Sequence, residues 1–400
     1  VLLGILALAL ALRLGFHLWH WQDFRITGDA LNYQLMSHQW VEDGVYGYAL
    51  KRWSGEPNAY VTPGYPAFLS AIYYFVRDPY LQVTVARLIQ VAVGTASVGL
   101  GFLFVRRLLK RTDVALATAF LMAIYPTFVQ SPVQLLTEVW SLATMLLYFW
   151  LTVWGLESRN PWVNAGAGLA LAAQALIRPV LLPLAPLPFL YLLFRKGWSS
   201  WPTVARLIGF TLAGFFPLML VWWVRNAVTL DALILTATGS ANPLLAGTYP
   251  NMEGVLEDFA AAGLSSEDQG SFARERIIRG FTEEPLRYLR WYTIGKIQFM
   301  FESPWLYQQL AERPRLMEFA LRLHDFLAWL GLGGLVVGVF RSRILRFVAV
   351  YAALFLVLYL IFIPTTRYAY QLMFFVLMGA AYLAASAVDL IRRRRAPLPQ

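Results

Sequence analysis

Residues 81–111 read LQVTVARLIQVAVGTASVGLGFLFVRRLLKR. Residues 81–105 carry one charge, Arg87, and run straight into Arg106, Arg107, Lys110 and Arg111. An α-helix needs about 20 mainly apolar residues to cross about 30 Å of hydrocarbon. The stretch therefore predicts a membrane-spanning helix whose basic end stays in the cytoplasm. The same pattern recurs along the chain. Spans are predicted near 1–21, 81–105, 113–130, 134–155, 162–178, 179–194, 202–224, 318–340, 344–363 and 367–390. Composition agrees: the 400 residues are 58% hydrophobic and only 14% charged, where soluble domains carry about 25% charged residues. The fold class read from this is all-α, a polytopic transmembrane bundle of about ten spans.

The basic clusters fix an orientation. Arg106–Arg111, Arg195-Lys196, Arg341–Arg346 and Arg392–Arg395 are all cytoplasmic by the positive-inside rule. They agree with one another only if both termini are cytoplasmic and residues 22–80 and 225–317 form two large outer loops. The formal net charge of +10 is thereby explained as topology signal, and nucleic acid is rejected as a partner. The chain has no cysteine, which excludes disulfides, thiolate metal sites and cysteine nucleophiles. Of the four histidines, His17 and His20 stand three apart at the outer end of the first span and read as interfacial. The first segment, opening at Val1, is read as a trimmed transmembrane helix or signal anchor.

Segment 287–302, RYLRWYTIGKIQFMFE, is apolar enough to tempt a spanning assignment. It carries Arg287, Arg290 and Lys296, and spanning would turn the Arg341 cluster outward. It is therefore laid in the outer interface as an amphipathic helix. The first outer loop has its own amphipathic stretch, Ala30–Val41, and a Pro-Gly-Tyr-Pro turn that contains Tyr65. Residues 1–400 read as one membrane module.

The candidate chemistry gathers at the outer ends of the helices. Gly28-Asp29 follows the first span, where Asp29 suits a helix N-cap and equally a general base. Glu138 opens the span near 134–155. Arg178 and Arg225-Asn226 end two others, and Arg367-Tyr368 opens the last. Arg87 lies in the first turns of its span. Any single arginine here could simply snorkel. Together the set suits an anion held beside a carboxylate, and arginine binds phosphate through a planar fork of donors. A lipid phosphate fits, and no GxxxxGK[ST] loop for a nucleotide is present. Asp29, Glu138 and a phosphate could share a divalent ion, although no clean ligand set is visible, so no cofactor is assigned.

Several segments resemble the C superfamily of glycosyltransferases (GT-C), nearest its dolichyl-phosphate-mannose protein mannosyltransferase and lipid A aminoarabinose transferase branch. The segments are RITGDALNYQ with VTPGYPAFLSAIYYFV, ARLIQVAVGTASVGLGFLFVRRL, AIYPTFVQSPVQLLTEVWSLATMLL, ALIRPVLLPLAPL, WWVRNAVTLDALILTATGSANPLLAGTYP and TTRYAYQLMFFVLMGAAYL, in the family's order. The resemblance implies an inverting transferase that takes a sugar from a polyprenyl-phosphate donor and passes it to a glycan, lipid or protein acceptor outside the plasma (inner) membrane. It places Asp29 at the catalytic carboxylate and Glu138 at the family's Thr-Glu position. Arg178, Arg225 and Arg367 fall at basic positions of the matched segments. The mannosyltransferases carry Asp-Glu after the first helix, whereas Ala30 follows Asp29 here, which puts a protein hydroxyl acceptor in doubt. Two rival readings are a transporter or flippase of lipid-linked saccharides and an O-antigen polymerase or ligase. Transporters place their charges near the midplane, whereas these lie at the outer face.

Overall fold

A computed structural model describes residues 1–20, 26–255, 266–306 and 313–395. Trp21, Arg25 and the tail 396–400 lie outside the described residues. Those described are helical and irregular, with one isolated bridge, Ala49–Arg52, as their sole β pairing.

The chain runs α1 (Leu2–His20), α2 (Asp29–Asp43), α3 (Gly64–Phe75), α4 (Pro79–Leu109), α5 (Thr112–Ile124), α6 (Pro126–Gln130), α7 (Glu138–Ser158), α8 (Pro161–Ile177), α9 (Leu187–Lys196) and α10 (Trp201–Leu230). After α11 (Ala241–Ala246) and α12 (Ser266–Glu283) come α13 (Pro285–Arg290) and a π turn (Trp291–Gly295) into α14 (Lys296–Phe301). The bundle closes with α15 (Pro314–Arg341), α16 (Arg343–Leu360) and α17 (Ala369–Arg395).

Eight of these segments are long and apolar enough to cross a membrane. Two of the ten expected spans differ. The span expected near 113–130 is the bent pair α5–α6, broken by 62° and a ninth crossing if counted as one. The span expected near 162–178 is α8, shorter than the other candidates. Segment 285–301 is not among the candidate spans.

The break between α5 and α6 has a sequence cause. Residue 126 is proline, so the carbonyl four residues back, on Met122, has no helical N–H to accept from. In a bilayer that carbonyl must find another donor. Arg13, a charge inside the first span, supplies it. Its Nη2 donates to the Met122 carbonyl at 3.1 Å and its Nη1 to the Ala123 carbonyl at 3.3 Å and the Ala9 carbonyl at 3.0 Å. Arg13 is fully buried.

Close packing elsewhere uses small residues, as membrane helices do. A Cβ on Gly334 of α15 would strike the Gly379 carbonyl of α17, and one on Gly168 of α8 would strike the Thr211 carbonyl of α10. Ion pairs mark the end of the bundle remote from Glu138. Arg107 Nε and Lys110 Nζ lie 2.7 and 2.5 Å from the Glu157 carboxylate, and Arg111 pairs with Asp113 and Asp389.

Replacing Arg13 with Leu leaves the Met122 and Ala123 carbonyls unpaired. We expect a stability loss of about 1–3 kcal/mol, read as a lower thermal midpoint in detergent, with Arg13→Lys in between.

Candidate active site

Four helix termini meet at the other end of the bundle. Asp29 is the first residue of α2 and Glu138 the first of α7, while Arg178 follows the last residue of α8. Arg367 sits in a short 3-10 turn, Thr366–Tyr368, that leads into α17. Prolines punctuate these ends: Pro179 follows Arg178, and Pro364 precedes the turn.

Arg367 links both acids. Its Nη1 lies 2.6 Å from Asp29 Oδ2. Its Nε donates to Glu138 Oε1, and its Nη2 reaches Glu138 Oε2 at 3.4 Å. Arg178 Nη2 also donates to Glu138 Oε1, and its Nε donates to Thr137 Oγ1 at 3.0 Å. The two carboxylates live in different settings: the Glu138 side chain is 1% exposed and that of Asp29 is 53% exposed. Glu138 is thus the buried anion that fixes two guanidinium groups, and Asp29 is the acid that faces open space.

The N-cap expected at Asp29 is corrected. The cap position is Gly28, at φ 59°, a backbone region that only glycine enters cheaply. The Asp29 carboxylate, one residue inside the helix, accepts from Arg367.

The open space is a cavity of about 530 Å³ walled by Asp29, Tyr33, Tyr48, Tyr60, Arg178 and Trp305, and by the segments around Asn242 and Thr365–Tyr368. The Arg178 guanidinium lies 5.5 Å from the centre of the Tyr368 ring. Burial first, then the Asp29 carboxylate, push the Tyr48 hydroxyl up to about 12 and raise that of Tyr60, so both are neutral phenols at ordinary pH.

Four expected site residues lie off this cavity, each with structural work nearby. The Tyr65 hydroxyl donates to Gln90 Oε1 at 3.0 Å, and the Gln90 amide donates to the Pro132 and Gln134 carbonyls, both at 2.8 Å. Arg87 Nε donates to the Val133 carbonyl at 2.9 Å. These bonds hold the 3-10 turn Ser131–Val133 and the link after it, which together deliver Glu138. Arg225 donates to the Asn58 carbonyl at 3.1 Å, the Tyr46 carbonyl at 2.8 Å and the Asn226 side chain at 2.9 Å. Asn226 donates to the Ile234 carbonyl at 3.1 Å. That pair ties the loop between α2 and α3 to the end of α10.

Sequence reasoning passed over Tyr33, Tyr48, Tyr60 and Trp305, which look like ordinary interfacial aromatics. It also counted Lys296 among the charges of an interfacial helix. The structure buries Lys296 completely. Its Nζ donates to the Leu360 and Phe362 carbonyls at 2.7 and 3.0 Å, at the C-terminal end of α16, where a helix favours a cation. Trp291 Nε1 donates to the Gly247 carbonyl at 3.0 Å, and Ile363 N to the Pro243 carbonyl at 2.8 Å. The π turn and the first residue of α14 thus anchor two walls of the cavity, and π turns are frequent at functional sites. Among the described residues no three His, Cys, Asp or Glu side chains gather as a ligand set.

With this geometry in view, the fold is that of the GT-C superfamily of membrane glycosyltransferases, as the sequence resemblance implied. The family model of dolichyl-phosphate-mannose-protein mannosyltransferases matches residues 61–223. The oligosaccharyltransferase of Archaeoglobus fulgidus superposes with a TM-score of 0.62 at 14% identity, over 98% of this chain and 51% of that one. The same archaeal enzyme, AglB, in complex with an inhibitory peptide and a dolichol-phosphate gives 0.56 at 14% identity, over 98% of this chain and 51% of that one. This chain therefore spans about half the length of that transferase. ArnT from Cupriavidus metallidurans bound to undecaprenyl phosphate superposes more loosely, at 0.44 and 14% identity, over 99% and 80%. No curated protein matches by sequence.

Glu138→Gln removes the buried anion between Arg178 and Arg367. Breaking a buried pair costs about 3–5 kcal/mol; cavity water at the arginines should bring the loss toward the lower figure, measured by thermal unfolding. Burial lowers Lys296 to about 7. Between about pH 7 and pH 10 the unfolded chain then binds the extra proton, so stability rises with pH across that window. Titrating the thermal midpoint checks this, and the rise should shrink in Lys296→Met.

Proposed function

We propose that this chain is a membrane glycosyltransferase that moves a sugar from a polyprenyl-phosphate donor to an acceptor at the extracytoplasmic face, with inversion. The observation that carries the reading is Arg367 held between an exposed and a buried carboxylate at the rim of a polar cavity. The GT-C fold and the phosphate-carrying lipid bound to AglB are consistent with it. The basic clusters Arg106–Arg111 and Arg341–Arg346 lie at the α4–α5 and α15–α16 junctions, at the end remote from Glu138, which supports an outward-facing site.

In this reading the donor phosphate lies against Arg178 and Arg367. Asp29 takes the proton from an acceptor hydroxyl or amine as that atom attacks the anomeric carbon. The bond from the anomeric carbon to the phosphate oxygen breaks, and the lipid phosphate leaves with its charge met by the two guanidinium groups. Such preorganised charge is often the larger part of catalysis. Asp29 then passes its proton to cavity water. The incoming phosphate competes for Arg367 and so loosens its contact with Asp29. The carboxylate that would serve as base is therefore held by Arg367 until an anion arrives. Glu138 acts through the arginines, holding them charged and aimed, and does not touch the substrate.

Asp29→Asn should leave expression and folding intact and cut transfer from a labelled undecaprenyl-phosphate sugar by about 10²–10⁴-fold, the usual worth of a general base. Unchanged turnover would refute the assignment. A translocase would instead show no transfer in the parent chain while moving the lipid across vesicles.

A further inference from the structure

The cavity wall beside Asp29 holds a feature that the phosphate chemistry does not use. Tyr48 and Tyr60 stack face to face, with ring centres 4.7 Å apart and planes 13° from parallel. Both line the cavity. The two phenol rings stand parallel in a polar cavity next to a carboxylate, and neighbouring groups hold them in place.

Asn58 does the building. Its Oδ1 accepts from the Tyr48 and Tyr60 backbone N–H groups at 3.1 and 3.2 Å, and its Nδ2 donates to the Tyr48 carbonyl at 3.0 Å. One side chain thereby sets the backbone of both tyrosines. The Tyr48 hydroxyl accepts from Asn32 Nδ2 at 2.8 Å, which fixes the ring and leaves its O–H free to donate. The second outer loop locks the other ring. Thr238 and Gly239 donate to the Ala59 and Tyr60 carbonyls, each at 2.9 Å, and a Cβ on Gly239 would run into the Tyr60 carbonyl and ring.

We propose that the Tyr48–Tyr60 pair is a stacking platform for the pyranose ring of the donor, with Asn58 as its positioning residue. A pyranose has an apolar face of axial C–H groups, and an aromatic ring takes such a face while its polar tip stays wet. The pair stands beside Asp29, on the same cavity as Arg178 and Arg367. A sugar phosphate can therefore place its phosphate on the cations and its ring on the phenols. The proposal rests on the donor reading above, and it assigns recognition of the sugar to the first outer loop.

The test measures binding by the full chain in lipid nanodiscs. The probes are undecaprenyl phosphate, undecaprenyl phosphomannose and undecaprenyl phosphoglucose. The parent chain should bind at least one sugar-bearing probe more tightly than undecaprenyl phosphate. Tyr60→Ala and Tyr48→Ala should each weaken that probe by about tenfold and change undecaprenyl phosphate by less than about twofold. Tyr60→Phe should keep the affinity, and Asn58→Ala should mimic the tyrosine losses. Equal weakening of all probes, no weakening by either alanine variant, or no preference for a sugar in the parent would overturn the platform. Failure of the parent to bind undecaprenyl phosphate at all would instead defeat the donor reading itself.

Discussion

A carboxylate with almost no access to solvent cannot stand alone, because burying an uncompensated charge costs several kcal/mol. Glu138 is such a group, and two arginines answer it. One arginine comes from the end of α8 and the other from the turn before α17. The pairing therefore fixes three separate parts of the chain at one level. Arg367 then has a guanidinium edge left over for Asp29, and the cavity forms around that edge. The carboxylate beneath the arginines offsets the cost of burying them and holds both guanidinium groups at the cavity.

The same constraint operates at three breaks in the helices. Apolar surroundings leave a freed backbone group nowhere to go. Arg13 serves the carbonyls opened by Pro126, Gln90 those around Pro132, and Lys296 those at the end of α16. Each is a polar side chain that a casual reading would assign to a site. Each instead supports backbone that carries or encloses the site. Arg87 and Arg225 belong with them, since their guanidinium groups bind backbone carbonyls away from the cavity.

The two long segments, between α2 and α3 and between α10 and α15, are walls rather than connectors. Backbone bonds join residues 59–60 to 238–239, and the Lys296 and Trp291 contacts hold the segments around Gly247 and Phe362 against them. The aromatic surface so presented is organised by Asn58, a residue whose sequence context, between Pro57 and Ala59, gives no hint of that role.

Sequence alone determined the all-helical membrane class, the rough limits of most spans, and the placing of Asp29, Glu138, Arg178 and Arg367 at helix termini. Those features are local: apolar length, proline punctuation and basic flanks are each written within a short window. It did not determine which charges share a cavity, because arginines that snorkel, brace a turn or face a ligand look alike in a string of letters. Asp29 and Arg367 are 338 residues apart, and only the packing of the helices brings them together. The bracing of the Pro126 break by Arg13, the burial of Lys296 and the stacking of Tyr48 on Tyr60 were likewise decided by tertiary structure, since each depends on a partner that the local sequence does not contain.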